Sequence, residues 1–148
     1  MLYKNNMEDI TYKDTIPFIP PLTMGKVIKV YDGDTITIAS KMPFENSPYY
    51  RFSVRLKGID CPEMRTKNVE EKQCAILTRN FLRTMLSDKI VLLKEVELEK
   101  YGRILAYVYF DDVNVSELLC EKHMAVKYDG GTKQCPENWM TYYNKKNL

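Results

Sequence analysis

The feature that most constrains the fold is a set of short segments in which apolar and polar residues alternate. In TITI, Ile36 and Ile38 alternate with threonines, and in RFSVRL, Val54 and Leu56 alternate with polar side chains. Successive side chains of a strand point to opposite faces, so such segments read as half-buried β-strands. The chain is therefore predicted to be built mainly on antiparallel strands with one apolar face.

The order of the predicted elements is three strands, a helix, two strands and two further helices. The first strand is KVIKVY, and the last two are KIVLLKEVEL and YGRILAYVYF. Apolar residues recur at helical spacing across Val69–Leu86. Asn114 followed by Glu117 resembles a capping box and predicts a helix over 116–122, and Pro136 is predicted to open a last short helix. This order favours an α+β, mainly β fold, a five-stranded OB-type β-barrel with about three helices. It differs from the strand-helix alternation of a parallel sheet.

Length and composition are those of one ordinary globular domain. The chain has 148 residues, of which 45% are hydrophobic and 28% charged. A chain of this size buries enough surface to form a core without disulfide bonds. The net charge of +2 and the pI of about 8.2 are compatible with a nucleic-acid partner. The pI is lower than that of a domain whose surface charge alone would indicate nucleic-acid binding.

The proline pattern divides the chain into an arm, residues 1–23, and a folded domain, residues 24–148. TIPFIPPLT carries three prolines in five residues, which favours extended backbone. The arm is expected either to be disordered or to lie along the domain. The N-terminus is polar and acidic, unlike a signal peptide, and no apolar run reaches transmembrane length. We therefore expect an intracellular, cytoplasmic protein that is monomeric and does not contact a membrane.

The cysteines do not indicate a disulfide scaffold or a strong zinc motif. The four cysteines contain no C-x-x-C pair. Cys120 and His123 have a spacing compatible with zinc, but one histidine and no close cysteine pair make a zinc site a weak hypothesis. Reduced thiols, mostly buried, are the simpler expectation.

Acidic and arginine residues stand at the ends of the predicted strands. Asp34 follows the first strand in VYDGDT, Arg55, Asp60 and Glu63 lie in RLKGIDCPE, and Arg103 lies in EKYGR. Each motif alone has a structural explanation, since DGDT is typical of a hairpin turn and D-x-P-E of a helix N-terminus. An arginine on a strand is most often a solvated surface residue.

Taken together, these residues supply what phosphodiester cleavage needs. The reaction requires a metal ion or cations that offset charge on the phosphoryl oxygens, and a group that takes a proton from water. Asp34 and Asp60 would be oxygen ligands and Glu63 the base. Arg55 and Arg103 would grip the non-bridging oxygens with their planar guanidinium groups. Oxygen ligands favour calcium or magnesium over zinc.

Three motifs in this order resemble the staphylococcal nuclease (thermonuclease) family. They are VIKVYDGDT, VRLKGIDCPE and EKYGRILAYVY, and the resemblance spans roughly residues 25–128. It implies an OB-type barrel with three helices in residues 24–148. The implied activity is calcium-dependent hydrolysis of DNA and RNA, favouring single strands and leaving 3′-phosphate ends. Magnesium would suit the same ligand types.

The resemblance also implies a role for each matching residue. Cys61 stands where the family often has a threonine whose backbone carbonyl binds the metal, and a carbonyl does not depend on the side chain. Asp32 resembles an acid beside the metal site. The implied set is catalytic Arg55, Glu63 and Arg103; metal-binding Asp34, Asp60 and the Cys61 carbonyl, with Asp32 beside them; and nucleotide-binding Lys100, Tyr101 and Tyr128.

The sequence departs from the family pattern in four places, and two other readings compete. The loop at residues 39–50 is longer than the usual connection, the stretch between Glu63 and the helix is shorter, the C-terminal helix is brief, and the arm has no counterpart. A noncatalytic OB module that binds nucleic acid or protein would share the fold, but it has no need of the full acid and arginine set. A phosphatase that uses Asp32 as nucleophile would need a parallel sheet, which the element order disfavours.

Overall fold

The computed structural model describes residues 6–148 of the chain. None of the helices in this range combines the length and apolar character that crossing a bilayer requires. Three 3₁₀ turns cover Met7–Asp9, Tyr12–Asp14 and Lys100–Gly102. The strands and helices are β1 Met24–Val30, β2 Thr35–Lys41, β3 Tyr49–Leu56, β4 Ile59–Asp60, α1 Val69–Leu86, β5 Ile90–Leu98, β6 Ile104–Phe110, β7 Val113–Asn114, α2 Val115–Glu121, β8 Val126–Lys127 and α3 Trp139–Asn147.

Five long strands close into a barrel. They are hydrogen-bonded in the order β3-β2-β1-β5-β6, and β3 also pairs with β6, which joins the two ends of the sheet. The closing pair is parallel, with Val54 opposite Ile104 and Leu56 opposite Ala106. All other pairs in the barrel are antiparallel. The prediction of a mainly β, five-stranded OB-type barrel is confirmed, with three α-helices in the described residues.

Alternation along the strands places the core inside the barrel. Ile36, Ile38, Val54 and Leu56 have no exposed surface, as their spacing predicted. Burying each of these side chains stabilises the fold by about 1.5–3 kcal/mol. The residues between them point outward and remain available for ligands. The barrel therefore has an apolar interior, and residues that alternate with it, such as Thr37 and Ser53, lie on its outer face.

The helix bounds follow side-chain caps, and this corrects one prediction. The helix α1 has the predicted bounds, whereas Pro136 does not open α3. That helix begins at Trp139, where the Asn138 side chain accepts a hydrogen bond of 2.8 Å from the Thr141 N–H. An asparagine cap satisfies a backbone donor that would otherwise be unpaired, and a proline cannot do this.

The strand predicted over YGRILAYVYF begins later than expected. Tyr101 and Gly102 have φ angles of +65° and +78°, in the left-handed region. Two such residues in succession turn the chain and cannot belong to a strand. The β6 strand accordingly starts at Ile104, and Arg103 lies at its entry. Two short pairings were not predicted, β4 with β8 and β6 with β7.

The described part of the arm, residues 6–23, contacts the domain at its end. Leu22 is buried, and the Thr23 carbonyl accepts a hydrogen bond of 2.9 Å from the Leu93 N–H. Residues 6–19 are exposed. The part of the predicted arm at residues 1–5 lies outside the described range, and the domain boundary at residue 24 stays a prediction.

Candidate active site

The turn between β1 and β2 positions two aspartates through local hydrogen bonds. The Asp34 N–H donates to Asp32 Oδ1 at 3.1 Å, and the Thr35 hydroxyl donates to Asp34 Oδ1 at 3.0 Å. The Leu56 N–H donates to the Asp34 carbonyl at 2.8 Å, which ties this turn to the end of β3. The turn therefore presents its carboxylates next to Arg55 on β3.

Gly33 allows this turn to approach α1 closely. A Cβ at Gly33 would lie 2.6 Å from Thr78 Cγ2 and 3.2 Å from Cys61 Sγ. The first distance is too short for any side chain. Burial, followed by the charge of Asp34, raises the pKa of the Cys61 thiol well above its ordinary value. Cys61 is therefore a neutral packing residue through its side chain.

Arg55 joins the two aspartates that the sequence places far apart. Its side chain is only 12% exposed. Its Nη2 lies 3.1 Å from Asp60 Oδ1 and 3.7 Å from Asp34 Oδ2, and it also donates to the Ile59 carbonyl at 3.1 Å. Removing one partner of a buried ion pair typically costs about 3–5 kcal/mol, because the other charge is left uncompensated. Arg55 therefore holds the acids in place as well as facing the cavity.

The second oxygen of Asp60 is buried without a hydrogen-bond donor among the described residues. Lys133 Nζ lies 3.5 Å from this Oδ2 and 3.6 Å from Glu63 Oε1. The nearby charge of Asp60 raises the pKa of the Lys133 ammonium. Lys133 lies in the loop YDGGTKQCPE and was not predicted, because no local pattern connects this loop to the acids.

Glu63 and Arg103 are more exposed than Arg55, and each is held by a neighbouring glutamate. The Glu63 N–H donates to Glu71 Oε2 in the first turn of α1 at 2.8 Å, while 61% of the Glu63 side chain is exposed. Arg103 Nε lies 2.7 Å from Glu99 Oε2, and 40% of its side chain is exposed. Both charged groups can therefore reach a ligand without a change in the backbone.

These side chains converge on one cavity of about 490 Å³, which we call the active cleft. It brings together six predicted site residues that lie in separate segments of the sequence. The other lining residues are Tyr31 just after β1, residues of the strands β1 to β3, and Lys133 in its loop. The lining residues are Lys29, Tyr31, Asp32, Asp34, Thr35, Thr37, Ser53, Arg55, Asp60, Glu63, Arg103 and Lys133.

The three residues predicted to bind nucleotide do not line the active cleft. Lys100 and Tyr101 lie in the turn before β6, and the Tyr101 side chain is fully exposed. Tyr128 lines a larger neighbouring cavity of about 1160 Å³, which we call the aromatic groove because Tyr107, Tyr109 and Tyr128 line it. Arg55 Cζ lies 5.7 Å from the centre of the Tyr128 ring. The two cavities therefore meet at Arg55.

The donor chemistry of the active cleft fits a hard divalent cation. Burial, with a further contribution from the Asp34 charge, raises the pKa of Asp32 to about 7. The carboxylates lie close together, and one of their buried oxygens, Asp60 Oδ2, receives no hydrogen bond from any described residue. Such a set suits calcium or magnesium, which prefer oxygen ligands. Within residues 6–148, however, no three acidic, histidine or cysteine side chains lie close enough together to hold a metal ion. Arg55 and Lys133 lie against the acids instead.

The zinc hypothesis at Cys120 and His123 has no support in the geometry. The His123 ring stacks on Tyr142 with a centroid distance of 4.0 Å. Its Nδ1 lies 2.8 Å from the Tyr142 carbonyl, so Nδ1–H donates to that oxygen. His123 therefore anchors α3 to the loop after α2. All four cysteines are free: Cys61 and Cys74 are buried, Cys120 is half-buried and Cys135 is exposed.

Comparisons with known proteins agree with this architecture. The chain is 31% identical over 100 residues to an uncharacterized protein of Bacillus anthracis, covering 66% of this chain and 44% of that one. It is 30% identical over 102 residues to a thermonuclease of Staphylococcus hyicus, covering 68% and 56%. It is 26% identical over 106 residues to an uncharacterized endonuclease of Escherichia coli, covering 71% and 61%. The chain thus spans about half the length of the curated relatives it matches.

A family model also matches the end of β3, the strands β5 and β6 and nearly all of the three α-helices. The Staphylococcal nuclease homologue model covers residues 53–146, which include Arg55, Asp60, Glu63 and Arg103. Asp32 and Asp34 lie before the matched region and reach the same cleft through the β1–β2 turn. The chain belongs to the staphylococcal nuclease family.

Proposed function

We propose that this chain is a nuclease that hydrolyses phosphodiester bonds in DNA and RNA. The observation that carries the proposal is the convergence of Asp34, Asp60, Glu63, Arg55 and Arg103 on the active cleft. Membership of the family and the similarity to a thermonuclease and to an uncharacterized endonuclease support the same reaction. A noncatalytic module would have no chemical reason to gather a base, two guanidinium groups and several carboxylates in one cavity.

Glu63 acts as the general base in this proposal. Its carboxylate is exposed to solvent while its backbone is held by Glu71, so it can take a proton from a water positioned for in-line attack on phosphorus. Lys133 Nζ lies 3.6 Å from Glu63 Oε1 and places a positive charge beside this carboxylate. Loss of such a base typically reduces turnover by about 10²–10⁴-fold.

The two arginines have different roles in this proposal. Glu99 accepts the Nε–H of Arg103, which leaves the two terminal nitrogens for the non-bridging oxygens of the phosphate. Arg55 lies deeper, between Asp34 and Asp60, where it sets the spacing of the carboxylates and adds positive charge below the scissile group. Fixed charges in a partly buried site stabilise developing negative charge more than mobile water does.

Asp34, Asp60 and the Cys61 carbonyl would hold a divalent ion, calcium or magnesium, with Asp32 beside them. When bound, such an ion offsets charge on the phosphoryl oxygens and favours ionisation of the attacking water. Asp60 Oδ2, which is buried without a hydrogen-bond donor in the described part of the chain, and the placement of Asp32 and Asp34 in the same cleft support a cation at this position. Asp32 itself orients Asp34 through the hydrogen bond within the turn.

Tyrosines around the cleft would take the bases of a single-stranded substrate. Tyr128 lies directly beside Arg55, where a base next to the scissile phosphate would stack. Lys100 and Tyr101 are exposed near the entry of β6, close in sequence to Arg103, and would contact a neighbouring phosphate. Stacking on an aromatic ring tolerates any base, and the products expected are 3′-phosphate ends.

The test is a metal-dependence series on heat-denatured DNA and on RNA, with end-group analysis of the products. We expect cleavage with calcium or magnesium, loss of cleavage with a chelator, and 3′-phosphate ends. Binding of nucleic acid without cleavage at micromolar protein would contradict the proposal. That outcome would leave the noncatalytic OB module as the function of this chain.

A further inference from the structure

Three neighbouring strands of the barrel carry positive charge only. The strands β1, β2 and β3 contain five basic residues and no aspartate or glutamate. Side chains that alternate with the apolar core point outward, so these charges share the outer face of the sheet. The basic residues are Lys26, Lys29, Lys41, Arg51 and Arg55.

The register arranges this face in rows that start at the active cleft. The first row pairs Thr35 with Arg55, and the next places Lys29, Thr37 and Ser53 side by side across the three strands. All five residues line the active cleft. Rows two residues apart are separated by about 7 Å along a strand. This separation is comparable to that of neighbouring phosphates in an extended single strand.

Further rows continue the same arrangement away from the cleft. Lys26 and Arg51 lie on either side of Ala39 in the third row, and Lys41 pairs with Tyr49 in the fourth. Lys26, Lys41, Tyr49 and Arg51 are exposed. A chain of phosphates that leaves Arg55 in this direction would therefore meet a cationic side chain in each row.

Exposed aromatic rings accompany the lysines on this face. Tyr31 is 53% exposed with Lys29 Nζ 5.8 Å from its ring centre, and Tyr49 is 71% exposed with Lys41 Nζ 4.9 Å from its ring centre. Basic groups that track the backbone, combined with aromatic rings on which bases stack, are the combination that binds single strands without sequence preference. We call Lys26, Lys29, Tyr31, Lys41, Tyr49 and Arg51 the basic face.

On the other side of Arg55, the aromatic groove would repel a phosphate backbone. The aromatic groove is lined by six acidic side chains and three basic ones. One basic side chain, Lys57, already pairs with Glu97 at 3.0 Å. A neutral base can enter next to Tyr128, but further phosphates in that direction would face net negative charge. The acidic lining residues are Glu95, Glu97, Glu99, Glu117, Glu121 and Asp129.

We propose that the basic face is an extended binding surface for single-stranded polynucleotide. The strand runs from the scissile phosphate at Arg55 past Lys29 and Arg51 toward Lys41 and Tyr49, over β1 to β3. This inference rests on the proposed nuclease function and adds to it the direction in which the substrate leaves the cleft. It also predicts that long substrates are bound better than very short ones.

The test uses a double variant, Lys29→Gln with Arg51→Gln, in the full chain. A matched control, Lys145→Gln with Lys146→Gln, removes two exposed charges from the last turn of α3. Binding of a labelled single strand of about 12 nucleotides is measured by fluorescence anisotropy in chelator at several salt concentrations. We expect about tenfold weaker binding for the double variant and a salt slope smaller by about 1.4, from two lost phosphate contacts.

The control should bind within twofold of wild type, and Tyr49→Leu should weaken binding by about fivefold through lost stacking. Equal binding and equal salt slopes for the double variant and wild type would overturn the proposal. Because binding is measured in chelator, it does not depend on cleavage. Absence of cleavage by wild type with metal would contradict the nuclease function alone, and the anisotropy result would still decide the binding surface.

Discussion

The two cavities that meet at Arg55 differ in charge and in composition. The active cleft balances four acidic side chains with four basic ones and opens onto strands that carry only basic residues. The aromatic groove has three tyrosines and an excess of acidic side chains. The electrostatic environment of a phosphate is therefore favourable on the β1 to β3 side of Arg55 and unfavourable in the aromatic groove.

This difference teaches where each part of a nucleotide can lie. Phosphates gain from fixed cations, whereas bases need a flat apolar surface and are indifferent to net charge. Arg55 stands at the boundary and contacts both sides, since it pairs with Asp34 and Asp60 and lies beside Tyr128. The scissile phosphate is therefore expected at this boundary, with a base in the groove.

The largest expected effect comes from the base in the active cleft. Glu63→Gln should lower turnover by about 10²-fold or more, because an amide cannot take a proton from water. The exposed carboxylate makes no ion pair in the core, so folding should be unchanged. Steady-state cleavage of single-stranded DNA measures the effect. The matched variant Glu121→Gln, in the aromatic groove, should stay within twofold, and equal losses in both variants would remove Glu63 from this role.

A smaller loss is expected for Arg103→Lys. The lysine keeps the positive charge but cannot present two parallel donors to a phosphate. We expect kcat/KM to fall about tenfold, equivalent to about 1.4 kcal/mol of transition-state stabilisation. Arg65→Lys, at an exposed position between Glu63 and α1, serves as the control. A wild-type rate for Arg103→Lys would count against its contact with the phosphate.

Removing acids from the aromatic groove should reduce the difference in charge between the groove and the active cleft. Glu95→Gln combined with Glu117→Gln should raise the affinity for a single strand about threefold at low salt, because repulsion of the phosphates falls. The gain should shrink as salt screens these charges. Anisotropy titrations at two ionic strengths test this, and unchanged affinity would show that the strand never approaches the groove.

The acids of the active cleft should also make stability depend on pH. The pKa of Asp32 is raised to about 7 from 3.8, so the folded state binds more protons between these values and stability falls as pH rises through this window. Asp32→Asn is neutral at every pH. In chelator, it should melt a few degrees above wild type at pH 8 and equal wild type near pH 4. Parallel melting curves across pH would contradict the raised pKa.

The smallest effect is expected at the only histidine, which lies outside both cavities. His123→Gln removes the ring stacked on Tyr142 and its hydrogen bond to the Tyr142 carbonyl. Stability should fall by about 1 kcal/mol, the usual size of one hydrogen bond. Cleavage should stay within twofold of wild type. A large loss of activity without unfolding would revive a scheme based on histidine or zinc.

Much of the scaffold was predictable because it follows local periodicity. The alternation of Ile36 and Ile38, or of Val54 and Leu56, reflects which face of a strand is buried, and all four side chains are fully buried. The bounds of α1 were predictable for the same reason. The start of α3 was not, because Pro136 and Asn138 are both plausible first-turn signals and only the hydrogen bond to Thr141 decides between them.

The sequence by itself determined the order of strands and helices along the chain and the residue types that the active cleft needs, since these depend on patterns within a few residues. Only the tertiary structure decided that Lys133 reaches Asp60 and Glu63, that Tyr128 lies across Arg55, and that acidic and basic surfaces leave Arg55 in opposite directions. Those relations join segments far apart in the chain. They are set by barrel closure and by packing of the loop before α3, which no local pattern encodes.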